Sequence, residues 1–196
     1  LGDSGAPLKI GRGHHGGAYG AGAYDWKGYI RDFRISKTAI YSCNFTPLVE
    51  LPRCSCPALI PACDEVLLHV QSDTTDESFP IYDSSEAKHT ITINGDVHHE
   101  TDQTKFSDSS LHFDGSGDYL LIDQTNDLNI NGDFTLETWV YVNTNPANVY
   151  GSSTDSHMIA SCWHSSTSNV NWQLLYLGSG DIGYFEYIGT TTVFAK

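Results

Sequence analysis

Phe134-Thr-Leu-Glu-Thr-Trp-Val-Tyr-Val142 alternates in character along its length. Leu136, Thr138, Val140 and Val142 fall on one side of an extended chain, and Glu137, Trp139 and Tyr141 on the other. That period of two predicts a strand with one face in a core. The same signal recurs at Val66–Val70, Thr90–Ile93, Met158–Trp163 and Gly28–Ile35. Ser110–Asp114 and Tyr119–Ile122 flank Gly115-Ser-Gly117-Asp118, while Asn171–Leu177 and Ile182–Ile188 flank Gly178-Ser-Gly180-Asp181. Glycines permit the positive φ of tight turns, so both stretches predict hairpins. Many short strands with turns every ~8–12 residues predict an all-β chain, an antiparallel sandwich or barrel.

The chain has 196 residues, 39% of them hydrophobic, which is enough for a packed core. No apolar run approaches the ~20 residues that span a bilayer, so membrane insertion is not expected, and no signal-peptide pattern is visible. The chain begins at Leu1 and its one methionine is Met158, as expected of a fragment, a processed product or part of something longer. A net charge of −14 opposes binding of nucleic acid or an anionic membrane through bulk electrostatics.

The charge is unevenly spread. Residues 1–53 hold 7 basic and 4 acidic side chains, a net of +3, whereas residues 64–196 hold 3 and 20, a net of −17. Between them lies Leu51-Pro-Arg-Cys-Ser-Cys-Pro-Ala-Leu-Ile-Pro-Ala-Cys63, whose three prolines favour an extended connector. The density of Cys43, Cys54, Cys56 and Cys63 around it suits one or two disulfides of open pairing, and hence an oxidising exterior. No zinc-type Cys-x-x-Cys spacing occurs. The odd total of 5 cysteines leaves a free thiol, expected at Cys162. Asn44-Phe-Thr46 is a glycosylation sequon.

Two stretches resemble a named family. Val66–Val70, Asp83-Ser-Ser85, Lys105-Phe106, Ser110-Leu-His-Phe-Asp-Gly-Ser-Gly-Asp-Tyr-Leu120 and Gly132-Asp-Phe-Thr-Leu-Glu-Thr-Trp-Val140 resemble the opening half of a laminin-G-like, concanavalin A-like lectin/glucanase domain of the pentraxin type. Leu8-Lys-Ile-Gly-Arg12, Trp26-Lys-Gly-Tyr-Ile-Arg-Asp-Phe-Arg-Ile35 and Tyr41…Asn44-Phe-Thr-Pro47 resemble its closing segment. The resemblance implies a jelly-roll β-sandwich. Because an end precedes a beginning, it implies parts of two consecutive repeats. Residues 1–50 would be the C-terminal part of one domain, 51–63 a connector, and 64–196 the N-terminal part of the next. The alternative is a permuted sandwich in which 1–50 completes the core of 64–196.

This fold hosts enzymes and non-enzymes, so chemistry has to be argued from sites. A retaining glucanase needs two carboxylates about 5–5.5 Å apart, and the candidate strand offers Glu137 alone. The glucanase-type Glu-x-Asp-x-x-Glu run is absent. Asp114 and Asp118 are separated by Gly-Ser-Gly and read as turn residues. No Gly-x-Ser-x-Gly elbow is present, and Cys162 with His164 reads as a buried core thiol beside a strand histidine. The adjacent pairs His14-His15 and His98-His99 point to opposite sides of an extended chain, cannot chelate one metal as a pair, and are expected in solvent-exposed loops.

The acidic segment suits calcium, which takes oxygen ligands, and the resemblance implies that relatives often bind one. The oxygens would come from Asp32, Asp83, Asp114 and Asp118. Sugars stack on exposed aromatic rings, and Tyr150, Trp163 and Trp172 lie in or beside the polar run Asn148–Asn171. These features, with the resemblance, predict a non-enzymatic module of an extracellular or virion-surface protein such as a phage or virus fibre. It would bind host or matrix glycans and other copies or repeats of the same assembly. The alternative is a secreted adhesin or a carbohydrate-binding module appended to an enzyme.

Overall fold

The computed structural model describes residues 6–13, 24–40, 66–105, 108–128, 132–146, 156–162, 171–188 and 191–195. Twelve strands among them form two antiparallel sheets packed face to face, a β-sandwich. The strands are β1 (Leu8–Ile10), β2 (Lys27–Ser36), β3 (Val66–Val70), β4 (Ile91–Asn94), β5 (His98–Glu100), β6 (Ser110–Asp114), β7 (Tyr119–Ile122), β8 (Thr135–Val142), β9 (Ser156–Cys162), β10 (Asn171–Leu177), β11 (Ile182–Ile188) and β12 (Thr191–Ala195). A 3-10 turn occupies Asn126–Leu128. The larger sheet runs β12-β11-β10-β9-β1-β7-β4. In the smaller sheet β2 pairs β8 along one edge, and β6 then β3 along the other, with β5 beyond β6.

The core is made of the inward half of each alternating strand. Ile10, Ile30, Phe33, Ile35, Leu68, Phe113, Leu120, Ile122 and Ile159 are almost wholly buried between the sheets, and Trp26 closes one end. Strand β8 follows its sequence pattern: Leu136, Val140 and Val142 pack against this core, while Glu137, Trp139 and Tyr141 face outward. Strand β2 is buried on both faces, because its outward side carries charged groups that are themselves enclosed.

Strands β1 and β2 each sit inside a sheet made otherwise of later strands. Strand β1 sits between β7 and β9, with Leu8 opposite Ile122 and Cys162, and β2 pairs three strands of the later segment. The physical reason is visible in β1 itself: three residues with two apolar side chains cannot bury a face alone, and they do so only between two longer strands.

One predicted hairpin forms and the other does not. Strands β10 and β11 pair directly across Gly178–Asp181. Strands β6 and β7 belong to different sheets, so Gly115–Asp118, with φ of 83° at Gly115 and 92° at Gly117, carries the chain across the sandwich. Strand β6 is already paired on both edges, by β2 and β5, and has none left for β7. The sequence pattern also missed β1, β5 and β12. His98 and His99 are strand residues, not loop residues; they do point to opposite faces, and His99 is buried with Nδ1 2.7 Å from Ser72 Oγ.

Candidate ligand-binding face

The outward face of the smaller sheet gathers the side chains with chemistry. Register places Tyr141, Tyr29, His112 and His98 in one row across β8, β2, β6 and β5. Their ring centroids are separated by 6.0, 4.9 and 5.3 Å in that order. The next residues along β2 and β8 pair Arg31 with Trp139. Above these two rows lies a cavity of about 250 Å³, lined by Tyr29, Arg31, Trp139 and Tyr141 from the sheet and by Gln103, Thr104, Lys105 and Ser110 at its rim. Lys105 Nζ stands 5.5 Å from the Trp139 ring centroid, within cation–π range.

Arg31 is held rigidly. Its Nη1 donates to the backbone oxygens of Ser109, at 2.6 Å, and Ser72. Burial, then the nearby Asp102 and Glu100 carboxylates, push the Tyr29 phenol above its ordinary value, so it keeps its proton and can donate a hydrogen bond. A β-bulge between Arg31 and Arg34 puts two β2 residues opposite one of β8, and Asp32 takes a left-handed φ of 54° there. The bulge restores Phe33 and Ile35 to the core and leaves Arg34 outward, where its Nε donates to Glu137 Oε2 at 2.9 Å. The Glu137 carboxylate is thereby engaged by a guanidinium.

The four aspartates proposed for calcium occupy separate structural roles. Asp32 is fully buried, with Arg31 Nε 3.4 Å from Oδ2 and Gln71 Nε2 3.4 Å from Oδ1. Asp118 accepts the backbone N–H of Asp96 at 2.7 Å and of Asp114 at 2.8 Å. Asp114 is exposed and accepts the Ser116 N–H at 2.6 Å, an Asx turn. Asp83 accepts the N–H groups of His69, Ser85 and His89, each at 2.9 Å, with the Ser85 hydroxyl and His89 Nδ1 at 2.8 Å. Among the described residues no three His, Cys, Asp or Glu side chains converge, as they stand, into a cation cage.

Burial pushes the Asp83 carboxyl up, but the combined hydrogen bonds from His69, Ser85 and His89 outweigh it and hold the group below the usual range. A depressed folded value means the stabilisation is complete above the unfolded aspartate value near ~3.9 and is lost as pH falls through the folded one. Asp83→Asn is therefore expected to flatten the decline in urea midpoint between about pH 5 and about pH 2. An unchanged slope would refute that role for Asp83.

Trp172 corrects an expectation. It is 3% exposed, in the core, its ring stacked on Tyr184 with centroids 6.4 Å apart. Its neighbour strands bury it from both sides, so it offers no face to a ligand. Tyr150, Trp163 and His164 lie outside the described residues, as do His14, His15, Asn44 and the four connector cysteines. Cys162 Sγ lies 3.1 Å from the Ala6 carbonyl oxygen. The cavity residues were not singled out in sequence as ligand-binding, although the signal was there: Trp139 and Tyr141 are large rings on the face of β8 turned away from the core. Comparison with protein-family models, curated proteins and solved structures found no significant match.

Proposed function

We propose that this chain is a non-catalytic recognition module of a surface protein, and that it binds a glycan in the cavity over Trp139. The observation that carries the reading is the composition of that cavity: three aromatic rings on a rigid sheet, with amide, hydroxyl and cationic groups at the rim. Apolar ring faces complement the C–H surface of a sugar, and the polar rim complements its hydroxyls. A volume of about 250 Å³ is below the ~300–1,000 Å³ of drug-sized sites and suits one or two sugar rings. Lys105 brings a positive charge to the rim in a chain of net −14, which favours a carboxylated sugar over a neutral one. The resemblance to laminin-G-like and concanavalin A-like domains supports the same class of ligand and a setting on an extracellular or particle surface.

A glycan array followed by calorimetry tests the proposal. Trp139→Ala is expected to weaken the best ligand about tenfold, ~1.4 kcal/mol, with the fold unchanged by circular dichroism. Lys105→Ala is expected to weaken acidic glycans selectively. A silent array, or a Trp139→Ala variant that binds like the parent, would overturn it.

A further inference from the structure

Beyond the cavity, the far end of the aromatic row carries a second arrangement with its own chemistry. His98 and Glu100 are two apart on β5 and therefore share a face. His112 is the direct cross-strand partner of His98 on that face, its ring centroid 5.3 Å away.

The His98 tautomer follows from its neighbour. Nδ1 lies 2.6 Å from the Asp96 carbonyl oxygen, which can only accept, so Nδ1 carries the proton. In the neutral ring Nε2 then holds a lone pair, and this lone pair faces Glu100 Oε2 at 3.7 Å. Glu100 is aimed in turn, because its Oε1 accepts the Thr101 N–H at 2.8 Å. An imidazole nitrogen set against a carboxylate holds a cation between them, either a proton on Nε2 or a metal ion that displaces it. A backbone carbonyl that fixes the far nitrogen is also the usual support of a metal-ligating histidine.

We propose that His98, Glu100 and His112 form a binding site for a divalent transition metal of the zinc type. Two ligand atoms each about 2.0–2.2 Å from a tetrahedral zinc stand roughly 3.3–3.6 Å apart, close to the separation already held by His98 and Glu100. Two imidazoles on one such ion have centroids about 5 Å apart, a separation that directly opposed strand partners such as His98 and His112 can reach. His98 and Glu100 are preset; His112 completes the set by a turn of its side chain away from the Tyr29 ring, on which it rests at 4.9 Å between centroids. Nitrogen ligands from two histidines select zinc-like ions over calcium.

Zinc chloride titrated into the folded chain, by calorimetry and by competition with a chromophoric chelator, tests the site. The parent is expected to bind one ion that His98→Gln, Glu100→Gln and His112→Gln each weaken about tenfold or more, and that a His14→Gln/His15→Gln control leaves unchanged. Calcium is expected not to compete. In NMR spectra of the parent, zinc is expected to shift the ring protons of His98 and His112 before those of other histidines, which tests the site even where a variant folds poorly. Equal zinc uptake by the parent and a His98→Gln/His112→Gln variant, or shifts confined to other histidines, would overturn the site.

Discussion

Gly28→Ala is expected to cost about 3–5 kcal/mol, a large part of the roughly 5–15 kcal/mol that holds a domain of this size together. Gly28 lies on β2 between Val142 of β8 and Phe113 of β6, so its backbone is paired on both edges. Its φ is 149°, which side-chain-bearing residues rarely adopt. A Cβ there would stand 2.1 Å from the backbone oxygen of Tyr141 and 3.1 Å from the backbone nitrogen of Asn143. Neither atom can move without breaking the β2–β8 ladder, which also positions Tyr29, Arg31 and Trp139 around the cavity. Gly117→Ala is the matched control. Its φ is 92°, but nothing lies within 4 Å of the added carbon, so only the backbone strain of about 1–2 kcal/mol applies. Urea unfolding followed by circular dichroism reads both. Equal costs for the two variants would show that the close approach of β8 at Gly28 is not tight.

Asp118→Ala is expected to cost about 2–4 kcal/mol, and Asp181→Ala less, although both residues end the same tetrapeptide, Gly-Ser-Gly-Asp. Asp118 is 1% exposed and ties two turns together by accepting the amides of Asp96 and Asp114 through separate oxygens. Charge-assisted bonds of this kind are worth about 1.5–3 kcal/mol each, and their loss leaves backbone donors without a partner. The Asp181 carboxylate receives the Ser179 hydroxyl at 2.6 Å, in an exposed turn. Its hairpin is closed by backbone bonds between Leu177 and Asp181 and between Gly180 and Leu177, both 2.8 Å. Chemical denaturation of the two variants side by side decides the matter. A cost at Asp181 as large as that at Asp118 would refute the distinction.

Much of the sandwich was legible residue by residue. Val66–Val70 has the predicted bounds, and β2, β4 and β9 differ from prediction by one or two residues at their ends. Runs of β-branched and large apolar residues mark these segments, and that signal needs no knowledge of the partner strand. Strands β5 and β12 carried no such signal. His-His-Glu and Thr-Thr-Val-Phe-Ala become strands because a neighbouring edge, β6 or β11, offers unpaired backbone groups. The candidate site was half legible for a related reason. The outward placement of Trp139 and Tyr141 is local, but their company with Tyr29, Gln103 and Lys105 depends on which strands become neighbours. Trp172 reads as a sugar platform in the sequence because a polar run precedes it. A polar neighbour in sequence says nothing of what packs above the ring, and here Tyr184 does.

The chain's own residues determined that it would be all-β, which face of β8 would enter the core, and that Gly115 and Gly178 would begin turns. These outcomes follow from steric preference and from apolar side chains leaving water, both of which act locally. Tertiary structure alone decided what each turn would connect, that β1 and β2 would take interior places in the two sheets, and that Asp83 and Asp118 would serve as backbone staples. The reason is pairing. A strand's edges can be satisfied by any extended segment of suitable register, and which segment arrives is settled by the packing of the whole sandwich, not by the residues of the strand.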